Sequence, residues 1–248
     1  MASDRSLDEL WNSVPPSQLI FQPGHLPGLP EAAQRYLAHA ITPGTPLASA
    51  VRLRMHGEIK LGRWLPFTAE QVIHCGRGMI WRATVRMYGM PITGFDRLLD
   101  GAGEMRWKLL GIIPIMTASG PEITRSAAGR VMAESVWLPS ALCRDEVAWT
   151  SKVAVRPEVR LAVGAETSEM ALTVTTDGRL QNMQMQRWGN PGGGQFRYES
   201  FGGVAEQEAS FGGYTIPTRL RIGWYFGTNL FETDGEFFRV TIDHAAYR

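Results

Sequence analysis

Ser126, Arg130, Glu134 and Trp137 recur at intervals of four, four and three residues. On a helix turning by roughly 100° per residue they fall within an arc of about 80°, with Ile123 beside them. One stripe therefore carries a hydroxyl, a guanidinium, a carboxylate and an indole. Facing an enclosed space, Arg130 can anchor a carboxylate or carbonyl while Glu134 orients it or serves as a base. The same i,i+4 pair also reads as a buttressing salt bridge, in the weaker orientation because the basic residue comes first. Ser126 has no GxSxG elbow around it and is expected to pack rather than attack.

Further guanidinium and aromatic material lies on segments that read as strands. Arg187-Trp188 is one such pair, and Arg219, Arg221, Trp224 and Tyr225 form a second group. Alternation with period two puts Arg219, Arg221 and Tyr225 on one face, opposite Leu220, Ile222, Trp224 and Phe226. Either the arginines face water over an apolar core, or a curved sheet turns one of these faces toward a ligand. Asp96, in the turn-like stretch TGFDRLLDG, is expected to cap a turn or pair with an arginine. Trp81 sits on the apolar side of its strand pattern. Eight tryptophans and eleven methionines can fill a large core or line an adaptable apolar cavity.

The elements that must position these residues are mostly strands. From Ala50 the period changes from 3.6 to 2: Val51, Leu53, Met55, Ile59 and Leu61 alternate with Arg52, Arg54, His56, Glu58 and Lys60. Met79 to Met87 and Met105 to Leu109 repeat the pattern, as expected of antiparallel sheets with one wet face. Met170 to Val174 runs into Asp177-Gly178, a two-residue hairpin signal, and Leu180 to Arg187 returns. Further strands are read at Gln195 to Glu208, Thr218 to Phe226 and Glu236 to Asp243, for about ten or eleven in all. Between the two runs of strands lies one helix, at about 120–138, ended by Pro139. Prolines at 15, 16, 23, 27 and 30 break the start of the chain into short pieces. Asp4 to Ser13 and Pro30 to Ile41 are its helical stretches. The expected organisation is a helical segment over 1–45, packed on a single domain over 46–248. The fold class is mainly β (α+β): a large curved antiparallel sheet, or half-barrel, with a central plug helix and N-terminal helices.

Composition excludes several classes. The net charge is +1, from 25 basic and 24 acidic residues, so no long-range field steers the chain to nucleic acid or an anionic membrane. Cys75 and Cys143 match no metal or redox spacing and read as buried thiols. The histidines at 25, 39, 56, 74 and 244 never fall in HxH, HxxxH or HExxH spacing, so no metal is expected. Neither GxGxxG nor GxxxxGK[ST] occurs, and no cofactor is expected. No run reaches the ~20 apolar residues of a spanning helix. The acidic, amphipathic start does not read as a signal peptide, so the expected location is cytoplasmic. Oligomeric state is not legible.

Several phrases, taken together, resemble an uncharacterised bacterial family known as a domain of unknown function: RWLPF, SAAGRVMAESVWLPSAL, QRWGNP, GYTIPTRLRIGW and EFFRVTIDHAAYR. The likeness runs from about Pro30 to the end of the chain. The order of elements is similar to the half-barrel of periplasmic lipoprotein carriers, where a curved antiparallel sheet holds a lipid under helical plugs. That resemblance implies a cavity between sheet and helix. Two functions fit such a cavity. One is binding of a hydrophobic or amphipathic small molecule, with Ser126, Trp137, Arg187, Trp188, Arg221, Trp224, Tyr225, Trp81 and Asp96 as candidate contacts. The other is a cofactor-independent cyclase, isomerase or lyase, in which Arg130 and Glu134 supply electrostatic stabilisation and proton transfer.

Overall fold

In the computed structural model, which describes residues 2–26, 28–153 and 155–248, period-two alternation pairs into one antiparallel sheet of thirteen strands. The first six are β1 (Ala50–Leu61), β2 (Arg63–His74), β3 (Gly78–Met87), β4 (Met90–Leu99), β5 (Ala102–Leu109) and β6 (Ile113–Ser119). After the central helix come β7 (Ala148–Val153), β8 (Arg156–Val163), β9 (Glu166–Val174), β10 (Leu180–Gly189), β11 (Arg197–Phe211), β12 (Tyr214–Trp224) and β13 (Glu236–Tyr247). The strand order runs β6 to β1, then β13 to β7. The sheet is thus two meanders joined where β1 pairs with β13, Met55 opposite Ile242.

The sheet curves around the central helix, α3 (Pro121–Ala133). On one side Thr124 Oγ1 of α3 accepts from the backbone N–H of Gly103 in β5, at 2.9 Å. On the other, Arg187 of β10 donates to the Ser126 carbonyl oxygen of the same helix at 3.2 Å. Eight places separate β5 from β10 in the strand order, a span of about 38 Å in a flat sheet at ~4.8 Å per strand. A helix is only about 10–12 Å across. Touching both strands therefore requires the sheet to wrap round it. Gly103 permits the close approach: a Cβ there would lie 2.6 Å from the Thr124 Cα.

The main core fills the concave side, from Val51, Leu53 and Met55 through Trp81, Trp137 and Leu172 to Leu220 and Val240. Two N-terminal helices flank it. Helix α1 (Ala2–Asn12) lies on the convex side, where Leu7 and Leu10 pack on Val72 and Ile80 and Asp8 pairs with Arg52 at 2.7 Å. Helix α2 (Glu31–Ala40) buries Ala32, Ala33, Tyr36, Leu37 and Ala40. Pro30 precedes its first turn as the cap.

Several expectations are revised. The strands number thirteen rather than ten or eleven. The helix expected over about 120–138 is α-helical only to Ala133, then tightens into 3-10 turns at Glu134–Trp137 and Pro139–Cys143. Asp96 is not in a turn; it lies within β4, opposite Trp81 and Met105. The Asp177-Gly178 hairpin exists, but Thr175 N–H still donates to the Arg179 carbonyl oxygen and Arg179 N–H to Thr175 Oγ1, so the loop has three residues. Cys75 and Cys143 are separate, half-buried thiols.

Candidate functional site

Between α3 and the concave face of the sheet lies a cavity of about 730 Å³, within the ~300–1,000 Å³ usual for small-molecule sites. Its walls are largely apolar and aromatic: Met79, Met105, Met183, Phe201, Phe237 and Phe238 are among them. It reaches the surface between the β1–β2 turn at Leu61-Gly62, the β10–β11 connection at Asn190–Gly192 and the π-helical turn Phe231–Gly235.

All members of the helical stripe line this space: Ile123, Ser126, Arg130, Glu134 and Trp137. Arg130 is held on both sides. Its Nε donates to Glu134 Oε1 at 2.7 Å and its Nη1 to Asp96 Oδ2 at 3.0 Å. The remaining carboxylate oxygens are also occupied, since Gln71 Nε2 donates to Glu134 Oε2 at 2.6 Å and Trp107 Nε1 to Asp96 Oδ1 at 2.9 Å. The guanidinium lies 4.8 Å from the Trp81 ring centroid. Burial works against the Arg130 charge, but Glu134 and Asp96 outweigh it and hold the group above its ordinary pKa. Asp96 is pushed the other way from a usual ion-paired carboxylate: burial, with Glu134 adding to it, raises its pKa against the lowering effect of Arg130, Trp107 and Arg187.

Arg187 feels the charges of this network without pairing into it. It is only 9% exposed, and among the described residues no carboxylate lies within ion-pair distance of it. Its Nε and Nη2 share the Ser126 carbonyl oxygen, at 3.3 and 3.2 Å. Its guanidinium lies 4.5 Å from the Phe201 ring centroid and 5.1 Å from that of Trp224. Burial, reinforced by Arg130 and only partly countered by Glu134 and Asp96 at longer range, pushes its pKa down to about 9. The aliphatic stem passes over Gly129, where a Cβ would come within 2.9 Å of Arg187 Cγ.

Trp81, Asp96, Trp224 and Tyr225 also reach the cavity. Two predicted contacts do not. Trp188 occupies the opposite side of β10 from Arg187, and meets the start of α3, with Arg125 at 3.9 Å over its ring and Glu122 accepting from its Nε1. Arg221 faces outward from β12, among Glu206, Glu232 and Glu236. The concave face of β12 is thus the apolar one, carrying Leu220, Ile222 and Trp224. Gln71, Trp107 and the Phe201–Phe237–Phe238 wall were not singled out in the sequence. Gln71 had a signal, as a polar residue in the inward series Phe67, Ala69, Ile73. Among the described residues no group of three or more His, Cys, Asp or Glu is placed to hold a metal ion.

A family model described as Family of unknown function (DUF6920) matches residues 27–247. The chain belongs to this family. The match agrees with the likeness drawn from the sequence phrases. No curated protein matches the DUF6920 chain. Solved structures similar to it include a LolA superfamily protein from Nitrosomonas europaea, 8% identical, covering 88% of this chain and 92% of its own, with a TM-score of 0.45. A second is a putative outer membrane lipoprotein-sorting protein domain from Vibrio parahaemolyticus, 8% identical, covering 88% and 91%, with a TM-score of 0.42. A third is a DUF1329 family protein from Desulfovibrio piger, 13% identical, covering 81% and 86%, with a TM-score of 0.44.

Proposed function

We propose that this protein binds an amphipathic small molecule whose apolar body fills the cavity under α3 and whose anionic or carbonyl end meets Arg187. The observation that carries this reading is a buried guanidinium with no carboxylate partner, set in the wall of an otherwise aromatic and aliphatic cavity. A buried charge without a counter-ion is costly. An incoming carboxylate, sulfonate or carbonyl oxygen would offset that cost through charge-assisted hydrogen bonds. Arg130 is the poorer anchor, because its charge is already balanced by Asp96 and Glu134, which take two of its five N–H donors.

The enzyme reading, with Glu134 as general base, has no observation in its favour. Both oxygens of Glu134 already accept hydrogen bonds from Arg130 and Gln71, whereas a working base must reach a substrate proton. The cluster acts instead as a brace between α3, β2 and β4.

The test uses protein purified from its own host, extracted under denaturing conditions and examined by mass spectrometry for a stoichiometric amphiphile. In parallel, an anilinonaphthalene sulfonate dye is titrated into the delipidated protein and displaced by long-chain carboxylates and by the matching alcohols. Carboxylates should displace the dye more strongly than alcohols. An empty protein that also fails to bind the dye would remove the reading.

A further inference from the structure

The end of the sheet at which the cavity opens is built differently from the opposite end. Hairpin alternation places the β1–β2, β3–β4 and β5–β6 turns in a row at this end, on six strands that are consecutive in the sheet. The row carries exposed apolar side chains: Leu61 at 53%, Tyr88 at 73%, Leu110 at 48% and Ile112 at 73%, with Met90, Ile113, Ile115 and Met116 behind them. The basic residues of the same three turns are Lys60, Arg63, Arg86 and Lys108, and no acidic residue falls within 59–64, 86–91 or 108–116. Arg63 lies 4.6 Å from the Tyr88 ring centroid, tying the first two tips together. The acidic residues of this end lie across the opening, on the other half of the sheet: Glu232 and Asp234 before β13 and Glu166 at the start of β9, with Glu232 held by Arg221 and Glu166 by Arg125.

Turn chemistry supplies an independent sign. Tyr88-Gly89 and Asp100-Gly101 are both two-residue turns with positive φ at each position, 52° and 79° in the first, 50° and 83° in the second. Such turns favour Asn or Asp at the first position, because a bulky side chain there is strained. The far-end turn has the expected Asp100. The turn at the opening has Tyr88 instead, and Leu110 in the next hairpin repeats the exception at φ 53°. Apolar side chains are thus held out at the tips against local conformational preference. Strained positions of this kind concentrate where a surface works.

We propose that this row of hairpin tips docks on an anionic lipid bilayer, with the apolar tips entering the headgroup region and the basic residues facing the phosphates. A band of apolar side chains flanked by Lys and Arg, with acids excluded, fits that partner. Leu61 and Gly62 also line the cavity, so docking would set its opening against the membrane surface. The overall charge of +1 hides this local asymmetry.

Vesicle co-sedimentation tests the proposal without any cavity ligand, so its failure is distinguishable from failure of the binding reading, which is scored by dye titration without vesicles. The full chain should pellet with phosphatidylcholine–phosphatidylglycerol vesicles, far less with phosphatidylcholine alone, and less as salt rises. Arg63→Gln with Lys108→Gln should weaken binding about 25-fold, from about fivefold per basic residue at a membrane surface. Tyr88→Asn with Ile112→Asn should weaken it at least about tenfold through lost apolar burial, and Asn at 88 suits its turn. A wild-type measurement stands beside the variants: vesicles should slow hydrogen exchange over 86–91 and 108–116 and leave 99–102 unchanged. No binding to anionic vesicles, variants that bind as tightly as the parent protein, or protection at 99–102 instead would overturn the proposal. So would a dimer in light scattering that the Tyr88→Asn, Ile112→Asn variant dissolves while vesicles bind neither protein.

Discussion

Asp96 and Arg130 form an ion pair at 3.0 Å that joins the middle of β4 to the third turn of α3, with both side chains 17% exposed. The two partners do not contribute equally. Burial raises the Asp96 pKa above its ordinary 3.8 despite Arg130, so its ionised form is held at a net cost. Arg130 is the only cation that Asp96 and Glu134 pair with among the described residues.

Asp96→Asn should therefore cost no more than about 1–2 kcal/mol: the amide oxygen still accepts from Trp107, while the amide NH2 cannot accept from Arg130 and loses that bond. Arg130→Met should cost about 3–5 kcal/mol, since it leaves two buried carboxylates without the cation they pair with. Urea denaturation of both variants measures the difference. The pH dependence has a definite sign. A carboxyl whose folded-state pKa is raised contributes stability that is complete below 3.8 and is lost as pH rises through the folded-state value. Asp96→Asn should gain on the parent protein over that rise. A variant that loses ground over the same interval would mean that the ionised pair is net stabilising.

Arg187→Met separates stability from binding. The methionine keeps apolar contact with Phe201 and Trp224 and removes a buried charge that makes no ion pair, so the ligand-free protein should be unchanged or stabilised by roughly 1 kcal/mol. Binding of anionic amphiphiles should fall about 10- to 100-fold, the value of a lost charge-assisted hydrogen bond. Neutral apolar probes should bind as before. Thermal unfolding and dye displacement on the same preparation decide it; a destabilised variant with intact anion binding would contradict the assigned role of Arg187.

Trp81→Phe addresses a different buried group. Among the described residues Trp81 Nε1 has no hydrogen-bond partner, and neither has Oε1 of Gln71, its neighbour across the β2–β3 ladder. Phenylalanine retains ring contact with Phe67, Trp107 and Phe238 and removes an unpaired donor. The loss should stay below about 2 kcal/mol, well under the ~3–5 kcal/mol of a full truncation to alanine. Trp107→Phe, which deletes the donor to Asp96 Oδ1, should cost more. The reverse order in a denaturation series would show that Trp81 Nε1 is paired in solution.

The helical stripe was legible because four polar residues at helical spacing share a face whether the last turn is α or 3-10. Its partners on the sheet were not. Asp96 reads as a turn because Gly94 and Asp96 are turn residues by composition. Gly94 is instead required by packing, as a Cβ there would lie 2.5 Å from Trp107 Cδ2. Strand β6 shows no alternation: as the sheet's edge, it leaves nearly every residue from Ile113 to Ser119 exposed. Arg187 and Trp188 are adjacent and equally suggestive in sequence, yet period two guarantees that they lie on opposite faces. Which face was concave followed only from the long-range strand order, which no local pattern encodes.

Gly129→Ala should act on ligand binding through Arg187 while leaving the fold intact. Glycine inside a helix costs about 1 kcal/mol relative to alanine, so its presence in α3 calls for a packing reason. That reason is the Arg187 stem, whose Cγ would lie 2.9 Å from the added methyl group. The helix gains propensity, the side chain must shift, and the two effects should leave stability within about 1 kcal/mol of the parent. The displaced guanidinium would lose its alignment with the Ser126 carbonyl and the Phe201 ring, so anionic amphiphiles should bind roughly tenfold more weakly. Neutral probes should be unaffected, because the apolar walls are untouched. Calorimetric titration with a long-chain carboxylate and its alcohol reads the two separately. Equal weakening of both would place the effect in cavity shape, and no weakening of either would mean that Gly129 does not position Arg187.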